Sequence, residues 1–327
     1  MRPLRGAQFF YPPDTITLSS PSEVGEAMEH ARSFYSSDSP TGLFALRPVS
    51  AVAQQSLLSS IDRTLPPTYA SLAEGPTGDS LLTSEDFDLA LSSVGRGSTP
   101  GIDGLPYEFY RHFSDVLVPV LVRVFNSAFV NTTSTSPLAC LLQGIICLLH
   151  KLGQLLDELP GYCPITLLNC DVKLVMFIVS NRLNRPLHYV IDITQSAFLS
   201  GRDISDNVRY NLGLTARLRE LGLPAWMLDS DIHKAYDSVS RTWVTATATR
   251  LGFNAGGVVR WLTILMAGSE CAVRLNGFIS SFFPTANGLP QGGSSSCPMW
   301  IIAFQPLLSR LNSLQLNGRL LSFPLPG

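Results

Sequence analysis

The stretch Leu228-Asp-Ser-Asp-Ile-His-Lys-Ala-Tyr-Asp-Ser-Val239 decides the fold class of this chain. A short apolar strand, Trp226–Leu228, is predicted to lead into the carboxylate of Asp231, and a carboxylate in that position can bind a divalent cation. From residue 238 to residue 327 the only acidic residue is Glu270. A site with paired magnesium ions needs several carboxylates. If Asp231 belonged to such a site, the segment that follows it would leave the set of metal ligands incomplete.

Composition indicates a globular protein with a large core. The chain has 327 residues, of which 45% are hydrophobic and only 15% are charged. Typical soluble domains carry about 25% charged residues, so this surface is poor in charge. The most apolar runs, 138–149 and 298–308, are shorter than the roughly 18 residues of a membrane span, and no secretory leader opens the chain. The six cysteines have no metal-ligand spacing, so we expect reduced, mostly buried thiols in an intracellular protein without membrane association.

Charge is distributed unevenly, although the net charge is only −2. Acids outnumber bases between residues 22 and 88, and bases outnumber acids between residues 173 and 219. The cations of this basic middle segment are Lys173, Arg182, Arg185, Arg202, Arg209, Arg217 and Arg219. They could neutralise nucleic-acid phosphates. A solvated helix face is an equally good interpretation for any one of them.

Hydrophobic periodicity and turn residues predict an α+β architecture. Residues 1–83 are expected to form a mainly helical N-terminal extension that includes a helix at Ser22–Tyr35 and a polar loop. The other predicted helical stretches are Ser84–Ser93, Pro106–Asn126, Asp206–Leu221 and Trp243–Leu251, with a glycine-rich loop at Gly95–Gly104. We also predict a strand at Gly144–His150, a turn followed by a helix at Ile165–Leu183, and a hairpin over Cys271–Phe283.

Six segments become informative through their order and spacing. They are Thr99–Tyr110, Ile145–Lys151, Pro164–Asn169, Gln195–Arg202, Asp231–Asp237 and Gly288–Gly292. In this order they resemble the reverse transcriptase of a non-LTR (LINE-like) retrotransposon, from about Ser84 to the end of the chain. The resemblance implies a right-hand polymerase fold, with fingers at 84–220 and an incomplete palm at 221–327. Residues 1–83 would then be a connector.

The resemblance implies a role for several residues. Asp231 matches the first catalytic aspartate of the palm, where its carboxylate and the carbonyl of Ile232 would take part in holding two Mg²⁺ ions. Without the family context, Asp231 could equally be a turn or helix cap. Tyr236 matches an aromatic plate beneath the incoming sugar, although core packing is the better interpretation of an isolated tyrosine. Asp237 is expected to cap the following helix.

Nucleotide and template contacts are also implied. Gln291 and Gly292 match a loop that packs on the templating base and nucleotide, while Lys151 and Arg202 match cations that approach the triphosphate and template backbone. Taken alone, Pro-Gln-Gly is only a turn signal, and the two cations are ordinary surface charges. The implied partners are an RNA template, a DNA primer and deoxynucleoside triphosphates.

The chain also departs from the family pattern. Cys163 stands where the family usually has an arginine near the phosphates, and a neutral thiol cannot replace that cation. The chain ends at Gly327, before the aromatic-Ala-Asp-Asp hairpin that carries the remaining catalytic aspartates. We therefore expect no polymerase activity from this chain as it stands. The alternatives are a non-catalytic fragment that binds RNA through Arg182, Arg185 and Arg202, and a degenerate relic of a transposable element.

Overall fold

A computed structural model describes residues 21–131, 138–153, 158–223, 229–275 and 277–318. These ranges contain a mixed sheet surrounded by helices, which confirms the prediction of a mixed α and β fold. The helices are α1 (Pro21–Tyr35), α2 (Ala51–Ser59), α3 (Pro67–Ala70), α4 (Ser84–Ser93), α5 (Tyr107–His112), α6 (Ser114–Val130), α7 (Cys170–Val190), α8 (Ile204–Glu220), α9 (Arg241–Arg250), α10 (Val258–Met266) and α11 (Ser296–Leu316). The strands are β1 (Gly144–His150), β2 (Tyr162–Leu168), β3 (Glu270–Leu275), β4 (Phe278–Ile279) and β5 (Phe283–Pro284).

The sheet is built around strand β1. Strand β2 pairs antiparallel with β1, from Gly144 opposite Leu168 to His150 opposite Tyr162. Strand β3 lies parallel on the other side of β1, and β4 and β5 both pair antiparallel with β3. The strand order is therefore β2-β1-β3-β4, with β5 beside β3. The predicted strand at Gly144–His150 is confirmed. The predicted hairpin over Cys271–Phe283 is confirmed in part, because its first strand is β3, which begins at Glu270, but its second strand is divided into β4 and β5.

The prediction for Ile165–Leu183 was partly wrong, because residues up to Leu168 belong to a strand. Pro164, Thr166 and Leu168 are buried, while the residues between them are half-buried. This alternation is typical of a strand with one buried face. Pairing with all seven residues of β1 decides the outcome, since strand preference depends on neighbouring strands more than on local sequence.

Helix α7 lies at the centre of the main core and buries most of its side chains. The neighbouring helix α4 begins with a capping box, in which the Thr83 hydroxyl accepts from the Asp86 backbone N–H and the Asp86 carboxylate accepts from the Thr83 backbone N–H. Arg182 of α7 donates to the same carboxylate at 2.7 Å and to the carbonyls of Ser80 and Leu81. One buried guanidinium thus joins α7, the α4 cap and the preceding loop.

The described part of the N-terminal extension packs on the sheet. Tyr35 of α1 and Phe44 of the following turn form a second hydrophobic cluster with Ile146, Val273 and Phe283. All five side chains are buried. The extension therefore contributes to the same fold as the strands it covers. The division at residue 83 and the names fingers and palm remain predictions.

Helices were predicted with uneven success. The predicted bounds of α4 are confirmed, and α1, α8 and α9 lie within two residues of their predicted bounds at each end. Helices α2, α3, α10 and α11 were not predicted, and the predicted helical stretch Pro106–Asn126 is divided into α5 and α6. The predicted strand Trp226–Leu228 lies outside the described residues. None of the helices in the described ranges combines the length and apolar character that a bilayer crossing requires.

Candidate functional site

The loop Gly288–Gly292 is held by backbone hydrogen bonds from two directions. On one side, the Gly288 and Leu289 N–H groups donate to the carbonyls of Val239 and Tyr236, each at 2.9 Å. On the other, the Thr166 N–H of strand β2 donates to the Gln291 carbonyl at 2.8 Å. These bonds bring three of the sequence motifs together around one loop. The loop is therefore joined by backbone hydrogen bonds to two separate parts of the fold.

Gly292 fits this loop because it has no side chain. Its φ of 145° lies in the region that favours glycine, and a Cβ there would collide with the carbonyl oxygen of Thr166. Gly292 is exposed, and Gln291 beside it is half-buried. Close backbone approach is the physical reason for glycine here. The predicted packing of this loop on a base and nucleotide stays a prediction.

Asp237 lies behind the loop and contacts Gln291. The Gln291 side-chain Nε2 donates to Asp237 Oδ1 at 2.8 Å, and Asp237 is only 1% exposed. Its second oxygen, Oδ2, has no hydrogen-bond partner among the described residues. Burial raises the pKa of this carboxyl to about 6. The expectation that Asp237 caps a helix was wrong, since the Ser240 hydroxyl caps α9 by accepting from the Trp243 N–H at 3.3 Å.

Two lysines lie near this carboxylate. Lys151 follows strand β1, and its backbone N–H donates to the Gly161 carbonyl at 2.9 Å. Lys234 has a positive φ of 52°, and its Nζ donates at 2.8 Å to the carbonyl of Tyr162, the residue before Cys163. Burial lowers the pKa of Lys234, and the charge of Lys151 lowers it further. The Lys234 ammonium therefore lies beside the start of strand β2, next to Cys163, which stands where the family usually has an arginine.

The predicted metal ligands are not gathered into a metal site. Asp231 and Ile232 are exposed and lie in an irregular segment before the turn that carries Lys234. Among the described residues no three His, Cys, Asp or Glu side chains lie close enough together to hold a metal ion. One carboxylate and one carbonyl do not make the donor set of a two-metal site. These donors alone do not fit the paired Mg²⁺ ions that the family resemblance implies.

Tyr236 and Arg202 both have contacts within the fold. Tyr236 is half-buried against the main core, and its hydroxyl lies 3.5 Å from the sulfur of Cys297. The Arg202 guanidinium donates to the carbonyls of Ile191, Asp192 and Gln195 at 2.5 to 3.2 Å. Burial lowers the pKa of Arg202. In this conformation Arg202 organises its own loop, and its predicted contact with template remains untested.

Arg241 was missed by sequence reasoning. Its guanidinium donates to the carbonyls of Met266, Thr285, Asn287 and Gly288 at 2.6 to 3.1 Å. Burial lowers the pKa of Arg241 to about 10. This side chain holds the segment that enters the Gly288–Gly292 loop. No local signal could have identified it, because these partners lie 25 to 47 residues away in sequence.

The basic middle segment does not form one exposed cationic face. Arg182 is buried and paired with Asp86, so the expectation that it binds RNA was wrong. Lys173 donates from Nζ to the Thr99 carbonyl at 2.8 Å and lies over the Tyr107 ring. Arg209 and Arg217 are exposed, and each pairs with an acid three residues away on helix α8. Arg185 and Arg219 are exposed as well. All six cysteines are free thiols, but only Cys170 and Cys271 are buried, so the expectation of mostly buried thiols was wrong.

Comparison with known proteins agrees with the motif order. Residues 157–318 match the family model described as "Reverse transcriptase (RNA-dependent DNA polymerase)". The chain is also 30% identical, over 333 residues, to the "Transposon TX1 uncharacterized 149 kDa protein" of Xenopus laevis. That alignment covers 98% of this chain and 24% of the Xenopus protein, so the chain spans about a quarter of its relative's length. These findings confirm the resemblance to a retrotransposon reverse transcriptase.

Proposed function

We propose that this chain, of which residues 157–318 match the reverse transcriptase family model, is the template- and nucleotide-binding part of an RNA-directed DNA polymerase from a non-LTR retrotransposon. The observation that carries the proposal is the convergence of three motifs on the Gly288–Gly292 loop. The loop, the turn 233–239 and strand β2 come from distant parts of the sequence. They meet at one edge of the sheet. The loop contains Gln291 and Gly292, which the resemblance assigns to nucleotide and template binding.

Within this proposal, residues 84–220 correspond to the fingers and residues 221–327 to part of the palm. Lys151 and Lys234 supply positive charge for phosphates, because an ammonium group attracts them without strict geometry. Gln291 offers a neutral amide that can hydrogen-bond to a base or sugar, and Gly292 lets the backbone approach closely. Tyr236 lies next to this loop. The partners are an RNA template, a DNA primer and deoxynucleoside triphosphates in an intracellular setting.

Chemistry at this site needs more carboxylates than the described residues provide. Divalent metal ions are generally used by reverse transcriptases, and Asp231 with the Ile232 carbonyl would supply only part of a metal site. We therefore propose binding, without nucleotide addition, for this chain alone. A non-catalytic RNA-binding function through the basic middle segment is disfavoured, because Arg182 is buried and paired with Asp86 and the Arg202 guanidinium donates to three backbone carbonyls. Lys234 differs, because its one bond to the Tyr162 carbonyl uses one of the three ammonium N–H groups.

Binding to a labelled DNA primer annealed to an RNA template tests the proposal. We expect salt-sensitive binding that weakens when Lys151 and Lys234 are both replaced by Met, because each lost phosphate contact reduces counterion release. Replacing the exposed Arg185 and Arg219 by Met is the matched control for two lost positive charges. Absence of binding, or equal losses in the two double variants, would contradict the proposal. Primer extension by the chain with Mg²⁺ would show that it carries catalytic function as well.

A further inference from the structure

We propose that Asp237 is a positioning residue that fixes the side-chain amide of Gln291 for contact with the template or nucleotide. This inference rests on the proposed function and names a residue that the motif comparison left without a binding role. Three observations support it. They are the 2.8 Å hydrogen bond from Gln291 Nε2 to Asp237 Oδ1, the burial of Asp237, and the absence of a partner for Oδ2 within the described ranges.

The hydrogen bond selects one orientation of the amide. A glutamine amide has a donor side and an acceptor side, and either could face a ligand if the group were free to turn. An ionised carboxylate accepts hydrogen bonds and cannot donate them. Asp237 therefore holds Nε2 and leaves Oε1 and the second N–H available. A binding amide that is oriented before the ligand arrives loses less freedom on binding.

Burying the Asp237 carboxylate costs stability, so support of the loop does not explain the presence of this residue. A buried carboxylate with one neutral hydrogen-bond partner is poorly compensated, and apolar residues of similar volume are often at least as stable. The loop is already held by backbone bonds to Tyr236, Val239 and Thr166 and by Arg241. Fixing the backbone does not require Asp237. Its hydrogen bond acts on the Gln291 side chain, which is the part of the loop able to read a ligand.

The N-terminal extension reaches the surroundings of Asp237. Tyr35 is fully buried, and its hydroxyl has no hydrogen-bond partner among the described residues. Burial raises the pKa of Tyr35, and the charge of Asp237 raises it further. The backbone N–H of Asn287 donates at 3.0 Å to the carbonyl of Phe44, which joins the extension to the loop entrance. Tyr35 therefore lies close enough to feel the charge of Asp237, and the bond from Gln291 lies in a buried setting, where hydrogen bonds are stronger than in water.

A double-mutant cycle in the full chain tests this inference. The ligand is a fluorescein-labelled DNA primer on an RNA template, with the complementary deoxynucleoside triphosphate, and the readout is the dissociation constant. We expect Asp237→Leu and Gln291→Leu each to weaken binding roughly fivefold, the effect of one hydrogen bond. The double variant should bind like Gln291→Leu alone, because Asp237 acts through Gln291. Asp237→Asn retains an acceptor and should bind within about twofold of the wild type.

The controls separate positioning from general damage. Tyr35→Phe removes a neighbouring buried hydroxyl and should leave binding unchanged, and thermal unfolding of every variant reports folding. Additive losses in the Asp237→Leu and Gln291→Leu cycle, or unchanged binding by Asp237→Leu, would overturn the inference. An equal loss in Tyr35→Phe would overturn it too, because the whole cluster would then matter. If the wild type binds no primer–template, the proposed function itself fails and this inference fails with it.

Discussion

Arg182 and Asp237 are both buried and ionisable, but they differ in how well their hydrogen-bond partners compensate the charge. Arg182 donates to the carboxylate of Asp86 at 2.7 Å and to two backbone carbonyls, so its charge is neutralised where three elements meet. Asp237 is more deeply buried but has only the amide of Gln291 and one unpartnered oxygen in the described structure. The first arrangement holds the fold together. The second lowers stability and controls one side chain at the candidate site, so the two should respond differently to mutation.

The largest effect should come from Arg182. We expect Arg182→Leu to lower the free energy of unfolding by about 3–5 kcal/mol, because Asp86 keeps a partly buried charge without its partner. Chemical denaturation measures the loss. Arg185→Leu is the matched control on the same helix, where the side chain is exposed, and it should change stability by less than about 0.5 kcal/mol. Similar losses in the two variants would show that the Arg182 contacts do not stabilise the fold.

Gly292 should give the next largest effect. Gly292→Ala places a Cβ against the Thr166 carbonyl and strains the backbone, so we expect a loss of about 2–4 kcal/mol from strain and overpacking together. Gly222→Ala is the control, since Gly222 has a φ of 62° but a Cβ added there would have no atom within 4 Å. Gly222→Ala should lower the unfolding free energy only by the cost of backbone strain, which is the smaller part of the loss expected for Gly292→Ala. Equal losses measured by denaturation would contradict the close approach.

Replacing Asp237 should raise the free energy of unfolding, whereas replacing Arg182 or Gly292 should lower it. Its pKa is raised by folding from 3.8 to about 6, so the native state binds its proton more tightly and stability falls as pH rises from about 4 to about 6. Asp237→Asn should therefore raise the unfolding free energy at pH 7 by about 1–3 kcal/mol and give no gain below about pH 4. Asp88→Asn, at an exposed position, controls for the lost negative charge. A loss of stability at pH 7 would contradict the comparison with Arg182.

Asp231 should give the smallest effect on stability. It is exposed in an irregular segment, so Asp231→Ala should change the unfolding free energy by less than about 0.5 kcal/mol. Binding to primer–template should also change little, because the proposed binding contacts lie elsewhere. A large loss of stability in denaturation would show that Asp231 is a structural residue, as its interpretation as a turn or helix cap requires.

Much of the fold could be predicted where local signals were strong. The Ser84-Glu85-Asp86-Phe87 sequence indicated the start of α4, and the apolar run at Gly144–His150 matched β1. Strand β2 was partly missed because its pairing with β1, rather than its own residues, decides its conformation. The motifs also indicated that Gln291 and Gly292 belong to a functional loop. Their contacts with a template or nucleotide stay predictions.

Charged residues were harder to interpret, because charge patterns do not reveal distant partners. Arg182 looked like a surface cation, yet its carboxylate partner lies 96 residues away in sequence. Asp237 looked like a helix cap, yet it contacts Gln291 across 54 residues. Arg241 gave no signal at all. In each case burial and long-range packing determine the role, and a single sequence does not report either one.

The central claim is that the Asp237 carboxylate holds the Gln291 amide, and the ¹H–¹⁵N signals of that amide test it directly. Gln291→Leu assigns the signals by their loss. We expect them to shift with pH around 6 in the wild type and not in Asp237→Asn, because protonation of Asp237 changes the bond.

The charged neighbours of Asp237 are Lys151, Lys234 and His233, and the buried Tyr35 hydroxyl is also close. The shift should persist in His233→Gln, which removes the neighbouring imidazole. Signals that do not respond to pH, or that still titrate in Asp237→Asn, would contradict the claim.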